Sequence, residues 1–259
     1  RGLPKASAAE SFEVLDVSAF IHGQNGIGDV DIPDSGRTPE NGSAIDFIID
    51  AAKTYGKDLV YVPTGQLTNI DAALAKAPEI KDLIGRIVLM GGALTVPGNV
   101  SPWAEANISQ DPDAADRLFR SGAPAMMVGL DVTLQTLLTY SETKCWRDLG
   151  TAPGKFLADM TDCYIKAYET TSPRLGGCGL HDPLAVGVAI DPTLITALPI
   201  NMKVDVDGPT RGRTIGDESR LKDPCKTMQV AIDVDAGRFL DEFMRRITSL
   251  AAGVDHEND

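Results

Sequence analysis

Three side chains with opposed hydrogen-bonding character lie close together in one glycine-rich stretch of the sequence. They are Asn99, Glu105 and Asn107. A carboxylate accepts hydrogen bonds, whereas a carboxamide both donates and accepts them, so this set suits a ligand that carries several hydroxyl groups. The stretch therefore points to a polyol such as a sugar. The alternative is a surface loop whose polar side chains are solvated.

A second candidate group is formed by His181 and Asp182, which follow the glycine-rich run LGGCG. A helix that starts here would use Asp182 as its N-cap and Pro183 as its first residue. The two interpretations are compatible, because a helix start also places an aspartate at the rim of a cleft. His181 could equally be a partly buried histidine with its own hydrogen-bond partner.

Two further stretches carry polar residues but favour structural interpretations. The run FIHGQNGIGDV is rich in turn-forming glycines. It lacks the GxGxxG order, a clear preceding strand and the lysine of a P-loop, which argues against binding of a nucleotide phosphate. His22 remains as an isolated imidazole. The run GLDVT is interpreted as a strand end that leads into a helix capped by Thr133.

From about residue 43, segments of helical and of strand-like pattern alternate along the chain. Helices are predicted over 43–56, 67–84 and 111–122, and each is followed by a short apolar strand, at 58–63, 86–92 and 124–130. Such alternation is typical of an α/β fold with a mainly parallel sheet and helices on both faces. Ligands bind beyond the carboxyl ends of the strands in these sheets. That is where the segment with Asn99, Glu105 and Asn107 lies.

The pattern beyond residue 150 is weaker. Helices are predicted over 156–171, 181–190 and 235–250, with Asp235 as the N-cap of the last, and strands over 201–208, 210–217 and 227–235. No internal repeat, low-complexity tract or linker interrupts the body of the chain, so one domain over residues 1–259 is expected.

Composition excludes several classes of protein. The 259 residues include 24 Lys and Arg against 37 Asp and Glu, a formal charge of −13, which argues against a nucleic-acid binder. No apolar run is long enough to span a membrane. The four cysteines are scattered without a CxxC pair. Reduced thiols and a cytoplasmic location are therefore expected.

Five stretches taken together resemble the nucleoside hydrolase family of the inosine-uridine preferring type. They are IHGQNGIGDV, VPTGQLTNI, IVLMGGALTVPGNVSPWAEANISQDPDAA, VGLDVT and LHDPLAV, in this order. The specific signal is the combination of VPTGxLTN, LMGG and AExN within a short span, since HDP alone would carry no weight. The resemblance implies an α/β fold with a mainly parallel sheet and a metal-dependent N-ribohydrolase activity.

The resemblance also implies one bound Ca²⁺ ion. Thr64 of the VPTG motif would supply its backbone carbonyl and Asp182 of the HDP motif its carboxylate, both hard oxygen ligands of the kind that calcium prefers. The family's DxDxGxDD cluster, which supplies further ligands and the general base, does not occur in this sequence. The expectation is an N-terminally incomplete domain that lacks its first strands, binds calcium poorly and hydrolyses little substrate.

The remaining site residues follow from the same resemblance. Those expected to hold or line the ribose are Asn99, Glu105, Asn107 and Met90. Those expected near the base are His22, His181, Tyr164 and Tyr168. His181 is the candidate for protonating the leaving base, and the two tyrosines match aromatic residues on a helix over the base.

The implied reaction is calcium-assisted hydrolysis of a ribonucleoside to the free base and ribose, by a homodimer or homotetramer. The choice between purine and pyrimidine bases stays open. One alternative is a non-catalytic protein of the same fold that binds ribose or nucleosides. Another is an unrelated sugar hydrolase, which would need two opposed carboxylates. Glu105 alone is a plausible member of such a pair.

Overall fold

The computed structural model describes residues 18–33 and 35–253 of the chain. These residues group into two compact units. The first contains the described residues of 38–133 and 181–234, and the second those of 18–37, 134–180 and 235–253. One domain over 1–259 stays a prediction.

The helices of the described chain are α1 (Ala19–His22), α2 (Ala44–Tyr55), α3 (Thr68–Lys76), α4 (Ile80–Leu83), α5 (Ala106–Gln110), α6 (Pro112–Arg120), α7 (Leu130–Thr133), α8 (Tyr140–Asp148), α9 (Ala152–Thr171), α10 (His181–Ile190) and α11 (Ala236–Ala251). The strands are β1 (Val60–Tyr61), β2 (Arg86–Met90), β3 (Ala125–Val128), β4 (Leu137–Leu138), β5 (Cys178–Gly179), β6 (Ile195–Ile200), β7 (Met202–Val204), β8 (Thr214–Gly216) and β9 (Met228–Val234). Short 3₁₀ turns cover Gly56–Asp58 and Pro192–Leu194. None of the helices in this part of the chain is both long and apolar enough to cross a membrane.

The main sheet belongs to the first unit and has five strands in the order β1-β2-β3-β9-β6. The first four pair in parallel, and β6 pairs antiparallel with β9. Tyr61 lies opposite Ile87, and Met90 lies opposite Val128. The carboxyl ends of β1, β2 and β3 therefore share one edge. The predicted α/β fold with a mainly parallel sheet is confirmed. Strand β6 was missed, because its partly buried and exposed positions do not alternate regularly.

Local sequence signals explain where several helices begin and end. The Ser43 side chain accepts the N–H of Ile45 at the start of α2, and the helix ends at Gly56, whose φ of 54° favours glycine. Asp111 accepts the N–H of Ala114 at the start of α6. Asp235 accepts the N–H of Arg238 at the start of α11, which confirms its predicted role as N-cap.

Four predictions about single elements are wrong. The helix expected over 67–84 is two helices, because Pro78 disfavours helical geometry at Ala77. The strand expected over 58–63 is reduced to β1, which is half-buried because it lies at an edge of the sheet. Thr133 ends α7 instead of capping a following helix. Asp182 lies inside the first turn of α10, which begins at His181, and so is not its N-cap.

The core of the first unit lies between the sheet and the helices α2, α3 and α6. Its fully buried side chains include Ile70, Ile87, Leu89, Leu118 and Phe119. Burial of each such apolar side chain contributes roughly 1.5–3 kcal/mol relative to exposure. This packing fixes β1 and β2, whose ends carry the candidate site.

The second unit is built from α8, α9 and α11, with α1 packed on α9. Trp146 of α8 is almost fully buried and donates from Nε1 to Thr248 Oγ1 at 3.1 Å. Thr151, the N-cap of α9, donates its hydroxyl to Ala251 O at 2.6 Å. These contacts hold α9, which carries both candidate tyrosines.

Candidate functional site

Glu105 is a buried carboxylate at the start of α5, with 2% of its surface exposed. Its Oε1 accepts the N–H of Asn107 at 2.9 Å, and its Oε2 accepts the N–H groups of Ile108 at 3.1 Å and Gly92 at 3.0 Å. Burial raises the pKa of Glu105, and the three backbone donors oppose that rise. Glu105 thus caps α5 and attaches it to the end of β2. Its predicted contact with ribose stays a prediction.

Two glycines allow this close packing. Gly92 has a φ of 86°, and a Cβ there would lie 2.6 Å from Met127 Sδ. A Cβ at Gly98 would lie 2.1 Å from the carbonyl oxygen of Ala104. At Gly98 a larger residue would displace the backbone of Ala104, and at Gly92 the positive φ and the neighbouring side chains disfavour one. Steric crowding therefore explains the glycines at Gly92 of the GG pair and Gly98 of the GN pair.

Asn107 connects the ends of two neighbouring strands. Its Nδ2 donates to Met90 O at 3.1 Å and lies 3.4 Å from Thr64 O and 3.3 Å from Met90 Sδ. Met90 ends β2, and Thr64 follows β1, which pairs with β2 in parallel. The structure thus brings together three of the predicted site residues at the carboxyl edge of the sheet.

Asn99 lies on the same segment and is exposed. Its Oδ1 accepts the N–H of Ala106 at 2.9 Å, so it satisfies a donor in the first turn of α5. This bond fixes the side-chain oxygen, while the amide nitrogen keeps its donor capacity. Asn99 is therefore held beside the group formed by Glu105 and Asn107.

Asp182 is an exposed residue whose side chain accepts no hydrogen bond and forms no ion pair within the described ranges 18–33 and 35–253. The protein around its carboxyl group nevertheless removes enough water to raise the pKa of Asp182 to about 6. The charge of Asp182 contributes in turn to the raised pKa of Glu105, so the two carboxylates interact electrostatically. A cation between them would relieve this repulsion.

His181 precedes Asp182 and is half-buried. Its Nδ1 lies 2.7 Å from the hydroxyl oxygen of Thr133, which is fully buried on α7. Two residues earlier on the same turn, Asp131 accepts the N–H groups of Leu94 at 2.9 Å and Thr95 at 2.7 Å. The turn α7 therefore contacts both His181 and the segment that follows β2.

Sequence reasoning missed the roles of Asp131 and Thr133. Asp131 lies directly after β3, at the edge where the other candidate residues follow β1 and β2. That position is a usable signal, because polar residues at the carboxyl ends of parallel strands tend to serve a site. Thr214 was also missed. It accepts the N–H of Ala93 at 3.0 Å and donates to its carbonyl at 2.8 Å, a long-range contact that no local pattern reveals.

The second unit brings together the other three candidate residues. The rings of His22 and Tyr164 are stacked, with centroids 5.2 Å apart and planes 27° apart. Tyr164 and Tyr168 meet edge to face at 4.9 Å, and their hydroxyl oxygens are 3.3 Å apart. Partial burial lowers the pKa of His22. The cluster offers aromatic surface for stacking against a planar ring.

A cavity of about 190 Å³ adjoins this aromatic cluster, lined by residues that include His22, Ile27, Met160 and Tyr164. Gly28 closes one side, with a φ of 72° and a Cβ position 2.9 Å from the Cβ of Cys163. The loop before it is held by Asp29, which accepts the N–H of Gln24 at 2.6 Å. The run around His22 is thus a folded loop against α9.

Two oxygen donors in the first unit have the chemistry that calcium prefers, the Thr64 carbonyl and the Asp182 carboxylate. Calcium takes 6–8 oxygen ligands, so these two would supply part of its coordination. No group of three or more His, Cys, Asp or Glu side chains that could hold a metal occurs in the described part of the chain. The donor types of Thr64 and Asp182 are compatible with a calcium ion.

Comparison with known proteins adds an independent finding. The model of a family described as inosine-uridine preferring nucleoside hydrolase matches residues 3–241. The solved structure of a purine-preferring ribonucleoside hydrolase from Gardnerella vaginalis is 75% identical, with a TM-score of 0.94 over 98% of this chain and 80% of that one. An inosine-uridine preferring nucleoside hydrolase of Leishmania major is 38% identical over 92% of this chain and 76% of its own. A probable uridine nucleosidase of Arabidopsis thaliana is 34% identical over 90% of this chain and 74% of its own.

Proposed function

This chain belongs to the inosine-uridine preferring nucleoside hydrolase family, and we propose that it acts on purine ribonucleosides with the help of a calcium ion. Its reaction is hydrolysis of the N-glycosidic bond, which releases the free base and ribose. One observation supports placing the reaction at this site: Asn107 contacts Met90 and Thr64 at the ends of two neighbouring strands. Membership of this family excludes the alternative that the chain is an unrelated sugar hydrolase.

The proposed calcium ion would be held by the Thr64 carbonyl and the Asp182 carboxylate. Two observations support this: Asp182 has no hydrogen bond or ion pair with the rest of the described chain, and its charge lies close enough to that of Glu105 to affect it. When bound, the ion supplies a positive charge that orients sugar hydroxyls and acidifies a coordinated water.

The ribose would be held by the amide of Asn107, the exposed amide of Asn99 and the buried carboxylate of Glu105. The sugar becomes positively charged in the transition state as the bond to the base breaks. Preorganised acceptor oxygens such as those of Glu105 favour that charge at no cost of reorganisation. Asn107 is held in place by its bonds to Met90 and Thr64, so its own oxygen keeps a fixed direction.

His181 would give a proton to the departing base. The electron pair of the glycosidic bond moves to the base, the proton follows from the imidazole, and water adds to C1′ of the sugar. Overall, water supplies the hydroxyl of ribose and the proton of the base. General-acid assistance of this kind contributes about 10²–10⁴ in rate.

A preference for purines is supported by the 75% identity with the purine-preferring hydrolase of Gardnerella vaginalis. The stacked rings of His22 and Tyr164 are chemically suited to a planar base. Turnover of inosine, adenosine, uridine and cytidine should be compared by release of reducing sugar. A higher kcat/KM for both pyrimidine nucleosides would overturn the preference.

The decisive experiment is release of ribose from inosine before and after removal of metal with EDTA. Ribose release that EDTA abolishes and added Ca²⁺ restores supports both the reaction and the ion. Release that is insensitive to EDTA overturns the calcium proposal. Binding of inosine without any release would support the non-catalytic alternative instead.

Assembly and compartment complete the proposal. We propose a homodimer or homotetramer, as the family resemblance implies, and a cytoplasmic location, as the scattered cysteines suggest. The absence of any disulfide among the four cysteines, all within the described ranges, is compatible with a reducing compartment. Light scattering after size-exclusion chromatography tests the assembly, and cell fractionation tests the compartment.

A further inference from the structure

Thr133 contacts the imidazole ring of His181, and the proposed proton transfer depends on the orientation of that ring. Its hydroxyl oxygen is 2.7 Å from Nδ1 of the imidazole, and the residue is fully buried. A buried threonine that is β-branched has few side-chain rotamers, so its hydroxyl is a fixed point rather than a mobile partner. The ring of His181 is thereby fixed in orientation.

The turn that carries Thr133 is itself held from several sides. Leu130 donates its N–H to Gly92 O at 2.8 Å, and Thr133 donates its own to Gly129 O at 3.1 Å. Asp131 accepts the N–H and the hydroxyl of Thr95, both at 2.7 Å. A shift of Thr133 would therefore disturb the end of β2 as well as His181.

The two imidazole nitrogens are chemically distinct once one of them has a fixed partner. With Nδ1 engaged by Thr133, proton transfer to a substrate falls to Nε2. If the hydroxyl donates to Nδ1, the neutral ring carries its proton on Nε2, and this arrangement orients the ring but makes it a poor acid, because release of that proton would leave an imidazolate. If the hydroxyl accepts from Nδ1, the ring can deliver a proton from Nε2 only in its cationic form.

We propose that Thr133 is a positioning residue that orients His181 and assigns protonation of the leaving base to Nε2. This inference rests on the proposed function, because it presupposes that His181 protonates the base. In the reaction, the electron pair of the C1′–N bond passes to the base, and the Nε2 proton neutralises the charge that forms there. In this proposal Thr133 acts on the substrate indirectly, through the orientation of His181.

The test uses two substrates that differ in their need for a proton. The base of inosine needs a proton when it leaves. The p-nitrophenolate released from p-nitrophenyl β-D-riboside is a stable anion and needs none. Thr133→Val removes the hydroxyl and keeps the shape of the side chain, and Thr133→Ser restores the hydroxyl. Thr143→Val is the matched control, because Thr143 is also buried and donates its hydroxyl to Tyr140 O at 3.3 Å rather than to a histidine.

The expected result is a loss of about 10- to 100-fold in kcat for inosine in Thr133→Val, which is part of the roughly 10²–10⁴ that general-acid assistance contributes. Turnover of the nitrophenyl riboside should change by no more than about twofold, because that leaving group needs no acid. Thr133→Ser should recover most of the lost rate, and Thr143→Val should resemble the wild type on both substrates.

Equal losses on both substrates, or no recovery in Thr133→Ser, would overturn the inference and assign Thr133 a purely structural role. If Thr133→Val does not fold, Thr133→Ala removes the same hydroxyl and takes its place in the comparison. A wild-type protein that releases no ribose from any nucleoside would overturn the proposed function instead. The two failures are therefore distinguishable.

Discussion

The carboxylate of Glu105 accepts the backbone N–H of Gly92 at 3.0 Å, across 13 positions of the chain. This bond joins the start of α5 to the end of β2, and the same carboxylate accepts two further N–H groups from α5 itself. The residue expected to touch the sugar therefore also holds the segment that presents Asn107. Its loss would affect both the site and the fold.

Glu105→Gln should lower both stability and activity. A glutamine offers one acceptor oxygen where the glutamate offers two, so at least one buried N–H loses its partner. An unsatisfied buried donor costs about 1–3 kcal/mol. Urea unfolding measures the stability, and kcat/KM for inosine measures the activity.

Glu79→Gln is the control, because Glu79 is exposed and, within the described part of the chain, forms an ion pair with Lys53 alone, at 3.4 Å. Exposed ion pairs contribute at most about 1 kcal/mol, so this variant should unfold close to the wild type. Unchanged stability in Glu105→Gln would mean that the buried donors find other partners.

Asp131→Asn should displace the segment after β2. Asp131 Oδ1 accepts both the N–H and the hydroxyl of Thr95, and Oδ2 accepts the N–H of Leu94. An amide nitrogen in either position would face a donor, which costs about 1–3 kcal/mol for a buried group. Slower turnover with a raised KM would follow from the displaced Asn99. A wild-type melting temperature would contradict this role.

The sequence predicted the parts of this protein that local patterns encode. Alternating helices and apolar strands predicted the mainly parallel sheet, and Asp235 was correctly predicted as a helix cap. The roles of Thr133 and Thr214 could not be predicted. Both depend on contacts with residues far along the chain, His181 and Ala93, that only the folded sheet brings together.

The candidate site was predictable in type but not in detail. The motifs grouped Thr64, Met90 and Asn107 by resemblance, and in the structure Asn107 Nδ2 contacts the carbonyl oxygens of both other residues. No pattern revealed that Glu105 satisfies three backbone donors, because that depends on the positive φ of Gly92 and the path of the following loop.

Ribose should be strongly preferred over 2′-deoxyribose. A site whose buried polar groups are arranged for a hydroxyl leaves them unpaired when the hydroxyl is absent, which can cost on the order of 10⁴-fold. The comparison is kcat/KM for inosine against 2′-deoxyinosine, which differ only in that hydroxyl. Equal values for the two nucleosides would remove Asn107 and Glu105 from the proposed sugar site.

Asp182→Asn should weaken calcium binding while leaving the fold intact. The amide keeps an oxygen but loses the charge that attracts the ion, and within the described chain no hydrogen bond or ion pair of Asp182 is lost. Isothermal titration with Ca²⁺ measures the affinity, and circular dichroism checks the fold. Asp50→Asn, on the exposed face of α2, is the matched control. Equal calcium affinity in both variants would exclude Asp182 as a ligand.

Asp217 should stabilise the fold in a pH-dependent way. Burial alone would raise its pKa, but hydrogen bonds from Ser219 and Arg220 and the charge of Arg120 outweigh burial and lower the pKa of Asp217 to about 2. An unfolded aspartate titrates near 3.9, so the folded state favours the charged form. The stabilisation is therefore fully present above about pH 4 and is lost as the pH falls toward 2. It amounts to about 1–2 kcal/mol by linkage.

Asp217→Asn removes this titration. The difference in unfolding free energy between the wild type and the variant should be largest from pH 5 to 7 and should shrink by about 1–2 kcal/mol as the pH falls to 2. Urea unfolding across that range measures the difference. Asp148→Asn changes an exposed partner of Lys144 and should show almost no such dependence, since surface pairs contribute little. A gap between the wild type and Asp217→Asn that stays constant down to pH 2 would mean that Asp217 stabilises the loop by shape and hydrogen bonding rather than by its charge.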